Sequence, residues 1–193
     1  MPTAARLSAL LLALASLAVP AARADTLPEV SVKTDLSFAS RYVYRGVQLA
    51  RASLQPSLDV SAGDGYLGLW ANLPTGTGQK NELDFYAGRG FAVERLGPGW
   101  KIDLGLRQYY YPQSFYTAGL SNTSTEAYAG LAGGAVGPGL TPTVYAAYDF
   151  TRQNTNVIGS LGAFVPAEKL GFALRFDVHV GYTGVHHGRD YTY

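Results

Sequence analysis

The sequence predicts an all-β protein: an antiparallel up-and-down transmembrane β-barrel of about ten strands, nine of them visible, behind a cleaved leader. Three observations carry that expectation. Residues 30–45 (VSVKTDLSFASRYVYR) place Val30, Val32, Leu36, Phe38, Tyr42 and Tyr44 on one parity and every charge on the other. Successive side chains of a strand point to opposite faces, so this period of two makes one apolar face and one wet face. Residues 170–182 repeat the pattern, with Leu170, Phe172, Leu174, Phe176, Val178, Val180 and Tyr182 against Arg175, Asp177 and His179. Finally, no stretch beyond the leader approaches the ~18 consecutive apolar residues of a spanning helix, whereas a tilted spanning strand needs only about 9–11.

The leader is residues 1–24. Its basic start ends at Arg6, residues 7–19 are apolar, and Ala22-Arg23-Ala24 has the form of a signal-peptidase site. Removing Arg6 and Arg23 leaves 13 basic and 14 acidic residues in 25–193, a balance that argues against a nucleic-acid partner. Cysteine is absent, so no disulfide framework stabilises the exported domain. The 23 glycines and 14 tyrosines disfavour a helical bundle, and aromatic residues suit the interfacial girdles of barrels.

The remaining strands follow in order. Residues 54–62 alternate around Pro56, which cannot donate to a ladder and marks a weak point or bulge. Gly63-Asp64-Gly65 is a tight turn into 66–73. Residues 82–91 put Glu82 and Asp84 on the polar parity, and 100–111 put Lys101, Asp103 and Arg107 there. Residues 124–133 carry Glu126 inward, 141–150 end near Asp149, and 157–165 alternate weakly. With a periplasmic start, the connections 46–53, 74–81, 112–123 and 151–156 face outward, and the turns 63–65 and 166–169 face the periplasm. That matches the short-turn, long-loop asymmetry of outer-membrane barrels. Tyr191-Thr192-Tyr193 reads as the opening of a tenth strand, and the expectation is that the functional chain continues past it, because an open edge in lipid is not viable.

Several segments resemble the TorF-type porin family of proteobacterial outer membranes. They are 41–48 (RYVYRGVQ), 54–59 (LQPSLD), 65–70 (GYLGLW), 82–88 (ELDFYAG), 110–112 (YYP), 125–130 (TEAYAG) and 148–150 (YDF), in this order along most of the chain. The resemblance implies an outer-membrane barrel and a pore, and no catalytic residue. Its members usually extend beyond the endpoint of this chain.

The expected lumen-facing set is Lys33, Asp35, Arg41, Arg45, Asp59, Glu82, Asp84, Lys101, Asp103, Arg107, Glu126, Asp149, Arg175, Asp177 and His179. Such charges can line a path for ions or small solutes, or they can pair and plug a narrow barrel. Glu82, Asp84 and Glu126 are expected to form a salt-bridge ladder with Arg107 and Lys101, rather than an acid–base pair or cation site. His186-His187 lacks metal-ligand spacing, so no metal or cofactor is expected. His179 could serve a barrel hydrolase, yet no G-x-S-x-G occurs and no enzyme is expected. The partners expected are outer-membrane lipid and small solutes or ions. A soluble β-sandwich remains the rival fold, and would need a second sheet over the apolar face of 170–182.

Overall fold

The computed structural model describes residues 28–112, 122–134, 136, 139–167, 172–185 and 191–192. The leader 1–24, most of the loop 112–123, and His186 and His187 lie outside the described residues. Ten strands form one antiparallel sheet: β1 (Val30–Ala39), β4 (Ser53–Ala62), β5 (Gly65–Pro74), β6 (Glu82–Ala92), β7 (Lys101–Tyr110), β8 (Thr123–Ala132), β9 (Leu140–Asp149), β10 (Asn154–Ala167), β11 (Phe172–Val185) and β12 (Tyr191–Thr192). Each pairs with its neighbour in chain order, which is up-and-down topology. Among the described residues no pairing joins β1 to the β11–β12 end, and the sheet is not closed into a barrel.

The first expected strand needs correction. It leaves the sheet at Ala39, bends at Ser40 and Arg41, and forms a separate hairpin of β2 (Tyr42–Tyr44) and β3 (Val47–Ala50). The turn residues Arg45 and Gly46 have φ of 47° and 74°. Positive φ at both central positions is the I′ geometry that suits the twist of a two-residue hairpin. Tyr42 and Tyr44 keep the parity of β1, but the bend turns them onto the polar face of the sheet. Arg41 sits exposed in the bend rather than on the wall.

Pro56 acts as its chemistry requires. β4 runs through it and pairs it with Leu36 of β1, while the pairing to β5 is interrupted between Leu54 and Ser57. Gly63 has φ of 58° at the first central position of the β4–β5 turn, where a II′ hairpin needs glycine. β10 and β11 are each 14 residues long and paired throughout, longer than their side-chain alternation suggests.

Burial in this fold is inverted. Among the described residues the buried hydrophobic ones are Ala50, Ala71 and Tyr109, whereas Asn72, Glu82, Asp84, Glu126 and Asp149 are buried polar ones. The opposite face of the sheet exposes Val32, Leu36, Leu67, Phe85, Val144, Leu161 and Phe176. Arg89 is the one charged residue on that face among the described strands. It lies within β6 opposite Gly65, the first residue of β5, and pairs with Asp64 of the adjacent turn at 3.4 Å.

Candidate functional site

The site lies where the β2–β3 hairpin folds over the polar face. Arg45 at its tip reaches Glu126 of β8, with Nη1 2.7 Å from the carboxylate; the two side chains are 13% and 2% exposed. The Tyr109 hydroxyl donates to the other Glu126 oxygen at 3.1 Å, and Tyr44 and Tyr109 share a 2.6 Å hydroxyl contact. Arg45 also stacks over Tyr44, 4.7 Å from its centroid, and Tyr42 packs on Trp70 at 5.3 Å. Burial pushes the Tyr42 phenol well above its ordinary range, with the negative charges of Glu82 and Asp84 reinforcing it. It stays protonated and able to donate to Glu82.

Glu82 also accepts from the Tyr111 hydroxyl at 2.8 Å. Asp84, 6% exposed, has a buried Oδ1 without a hydrogen-bond partner among the described residues. The expected ladder is thus corrected. Register does set Arg107 opposite Glu126, but Arg107 lies among the rings of Tyr86, Tyr109 and Tyr128 at 5.6–5.9 Å, and Arg45 takes the carboxylate. Lys101 is exposed at the far strand end. A guanidinium is well suited to such ring contacts because it is planar and weakly hydrated.

Below this layer four tyrosines lie against glycines directly across the ladder: Tyr66 on Gly88, Tyr86 on Gly68, Tyr128 on Gly105 and Tyr145 on Gly130. Three of their hydroxyls reach two carboxylates, and the fourth, of Tyr128, meets the Tyr66 hydroxyl at 2.6 Å. Tyr86 donates to Asp59; Tyr66 and Tyr145 donate to Asp103 at 2.6 and 3.1 Å. Asp149 has a local task, accepting from Ser124 and from the N–H groups of Thr151 and Arg152 at 2.9 and 2.8 Å.

The other expected residues fall outside this network. Lys33 and Asp35 share the face of Asp59 but are exposed on β1. Arg175 and Asp177 form an exposed pair at 2.8 Å. His179 Nδ1 lies 2.7 Å from Ser160 Oγ; Asp177 is turned to Arg175 instead of completing a triad with them. No group of three potential metal ligands occurs among the described residues. Sequence parity puts Tyr66, Tyr86 and Tyr128 on the inward face, but the expected set held only charged residues and His179, and the pairing of these tyrosines with glycines across the ladder was not read. Sequence reasoning also missed Arg152, which stacks on Tyr111 at 5.4 Å.

On the outer side of the hairpin a groove of about 670 Å³ is lined by Gln48, Arg51, Thr75, Thr77 and Gln79. Thr75 ties the hairpin's return to the next connection through Ala52, by N–H and hydroxyl bonds of 2.9 and 3.1 Å. The arrangement gathers carboxylates and tyrosine hydroxyls on one face of the sheet, with a self-paired hairpin folded over part of it.

No curated protein and no solved structure matches the chain. A family model described as a bacterial protein of unknown function matches residues 22–193; it carries no porin name, and the match gives no support to the expected TorF-type porin family. The chain belongs to this bacterial family, Gcw_chp.

Proposed function

We propose that the protein is an outer-membrane β-barrel whose interior passes ions or small polar solutes when the β2–β3 hairpin is displaced, and is occluded in the conformation described. The inverted burial carries this reading: large apolar side chains cover one face, carboxylates and tyrosines the other. In water such an exposed surface would exceed what monomeric proteins tolerate. In lipid it is the required outer surface, and strands of 10–14 residues are long enough to cross when tilted. The position of Arg89 beside the β4–β5 turn, opposite the first residue of β5, fits the edge of the apolar band.

A permanently plugged, non-conducting barrel is the second reading. The tyrosine–carboxylate layer favours it, because it fills much of the inner face beyond the hairpin. Planar-bilayer recording separates the two. The native chain is expected to show rare or no openings. A variant with residues 41–51 replaced by a short Gly/Ser turn is expected to show steady conductance. A hairpin-deleted chain that inserts and stays silent favours the plugged barrel; one that does not insert at all overturns the membrane reading.

A further inference from the structure

We propose that the cup holding the Arg45 guanidinium is a binding site for small organic cations of the guanidinium and alkylammonium class, with Arg45 as its tethered occupant. The proposal rests on the reading above only for the route by which cations arrive. The cup itself is built by the wall. Glu126 is almost fully buried and contacts the guanidinium at 2.7 Å, while Tyr109 fixes its second oxygen. Glu82 and Asp84 bring two more carboxylates from β6, both buried. Asp84 carries a buried Oδ1 without a hydrogen-bond partner among the described residues, and Arg45 Nε and Arg107 Nε are buried donors without one. A buried acceptor without a partner marks a place where a donor belongs.

Charge balance points the same way. With Arg45 seated, Glu126 has its counter-charge at 2.7 Å, and Arg107 stands opposite it across the ladder but among tyrosine rings. With the Arg45 side chain removed and the hairpin still seated, Glu126 loses the counter-charge that stands 2.7 Å from it. A buried uncompensated charge is strongly unfavourable, so the emptied cup takes up a cation. The aromatic surface is suited to one that is planar or poorly hydrated.

The occupant is separable from the cup. β2 and β3 pair only with each other among the described residues, and an isolated two-stranded hairpin is marginal. Val43, Val47 and Leu49 of the hairpin remain exposed, so its hold is the polar contacts of its tip, the Tyr42–Trp70 stack and the ties of its return at Arg51 and Ala52 to Gln79 and Thr75.

Arg45→Gly tests this in the full chain, since glycine accepts the positive φ at that position. In detergent micelles, methylguanidinium chloride at tenfold its half-saturating concentration is expected to raise the unfolding midpoint of the variant by about 4 °C. Sodium chloride at equal ionic strength is expected not to, and the native chain, its cup filled, is expected not to respond. Arg45→Gly combined with Glu126→Gln is expected to lose the response. Should Arg45→Gly fold poorly, its refolding yield becomes the readout, rising with methylguanidinium and not with sodium. An equal response to sodium, an equal response of the native chain, or a response surviving Glu126→Gln overturns the proposal. Bilayer insertion and conductance of the native chain are read separately, so failure of the membrane reading is distinguishable from failure of the cup.

Discussion

The ring of Tyr66 lies flat across Gly88, its antiparallel partner on β6, and a methyl group built at Gly88 would also approach the Leu104 carbonyl oxygen to 2.7 Å. Gly105 has the same relation to Tyr128, with the Ala87 carbonyl at 2.7 Å. Laid along the wall in this way, Tyr66 reaches sideways to Asp103, and Tyr128 reaches the Tyr66 hydroxyl at 2.6 Å. The glycines therefore set where the tyrosine hydroxyls go, and with them the positions of Asp59 and Asp103 in the network.

Gly88→Ala and Gly105→Ala are accordingly expected to lose about 1–3 kcal/mol of stability, the usual cost of overpacking a site that cannot relax. A tyrosine could swing away, but a backbone carbonyl in a ladder cannot. Gly90→Ala, on the same strand with nothing within 4 Å of the added carbon, is expected to change stability by less than about 0.5 kcal/mol. Urea unfolding in micelles measures all three.

Most of the wall was legible because strand alternation is a local property. The parity of residues 82–91 alone assigns Glu82 and Asp84 to one face and Phe85 to the other, and the pairing of β5, β6 and β7 agrees. The hairpin was not legible, because Tyr42 and Tyr44 preserve the phase of the strand before them. Only the bend at Ser40 and Arg41 and the positive φ of Arg45 divert the chain. The partner of Glu126 was likewise beyond reach. Adjacency in the sheet nominates Arg107, yet the tyrosine rings around Arg107 and the arrival of Arg45 from a distant turn decide otherwise.

Phe85→Arg tests whether the apolar face meets lipid. Phe85 is 51% exposed, so on a protein in water the substitution would be close to neutral. Near the middle of a bilayer, an outward arginine on a barrel strand costs about 2–4 kcal/mol. Equilibrium folding into phosphatidylcholine vesicles is expected to show that loss. A change below about 0.5 kcal/mol would contradict the lipid-facing assignment.

Asp149 holds the β9–β10 turn by taking two backbone N–H groups, while its other oxygen receives the Ser124 hydroxyl. The same turn keeps Gln153 at φ of 57°, a conformation unfavourable for a residue with a side chain. Asp149→Ala leaves those donors without their acceptor and is expected to cost about 1–3 kcal/mol. Backbone amide exchange at Thr151 and Arg152 is expected to accelerate, with β6 and β7 unaffected.

Alkali is expected to release the hairpin. Burial pushes the Tyr44 phenol from an ordinary value of 10 up to about 12, with Arg45 opposing and Glu126 adding to the shift. The seated hairpin thus keeps a proton that the released one gives up. Its hold is fully present below pH 10 and weakens through the interval to about pH 12, by about 1.4 kcal/mol for each unit. Trp70, stacked on Tyr42, reports the departure once Trp100→Phe has removed the other indole. Acrylamide quenching of Trp70 is expected to be constant to pH 10 and to rise above it. Tyr44→Phe, which cannot ionise, is expected to move the onset to higher pH, because the Tyr42 phenol is then the remaining group to titrate. Quenching that stays flat to pH 12, or an onset unchanged in Tyr44→Phe, would mean that neutral phenols do not hold the hairpin in place.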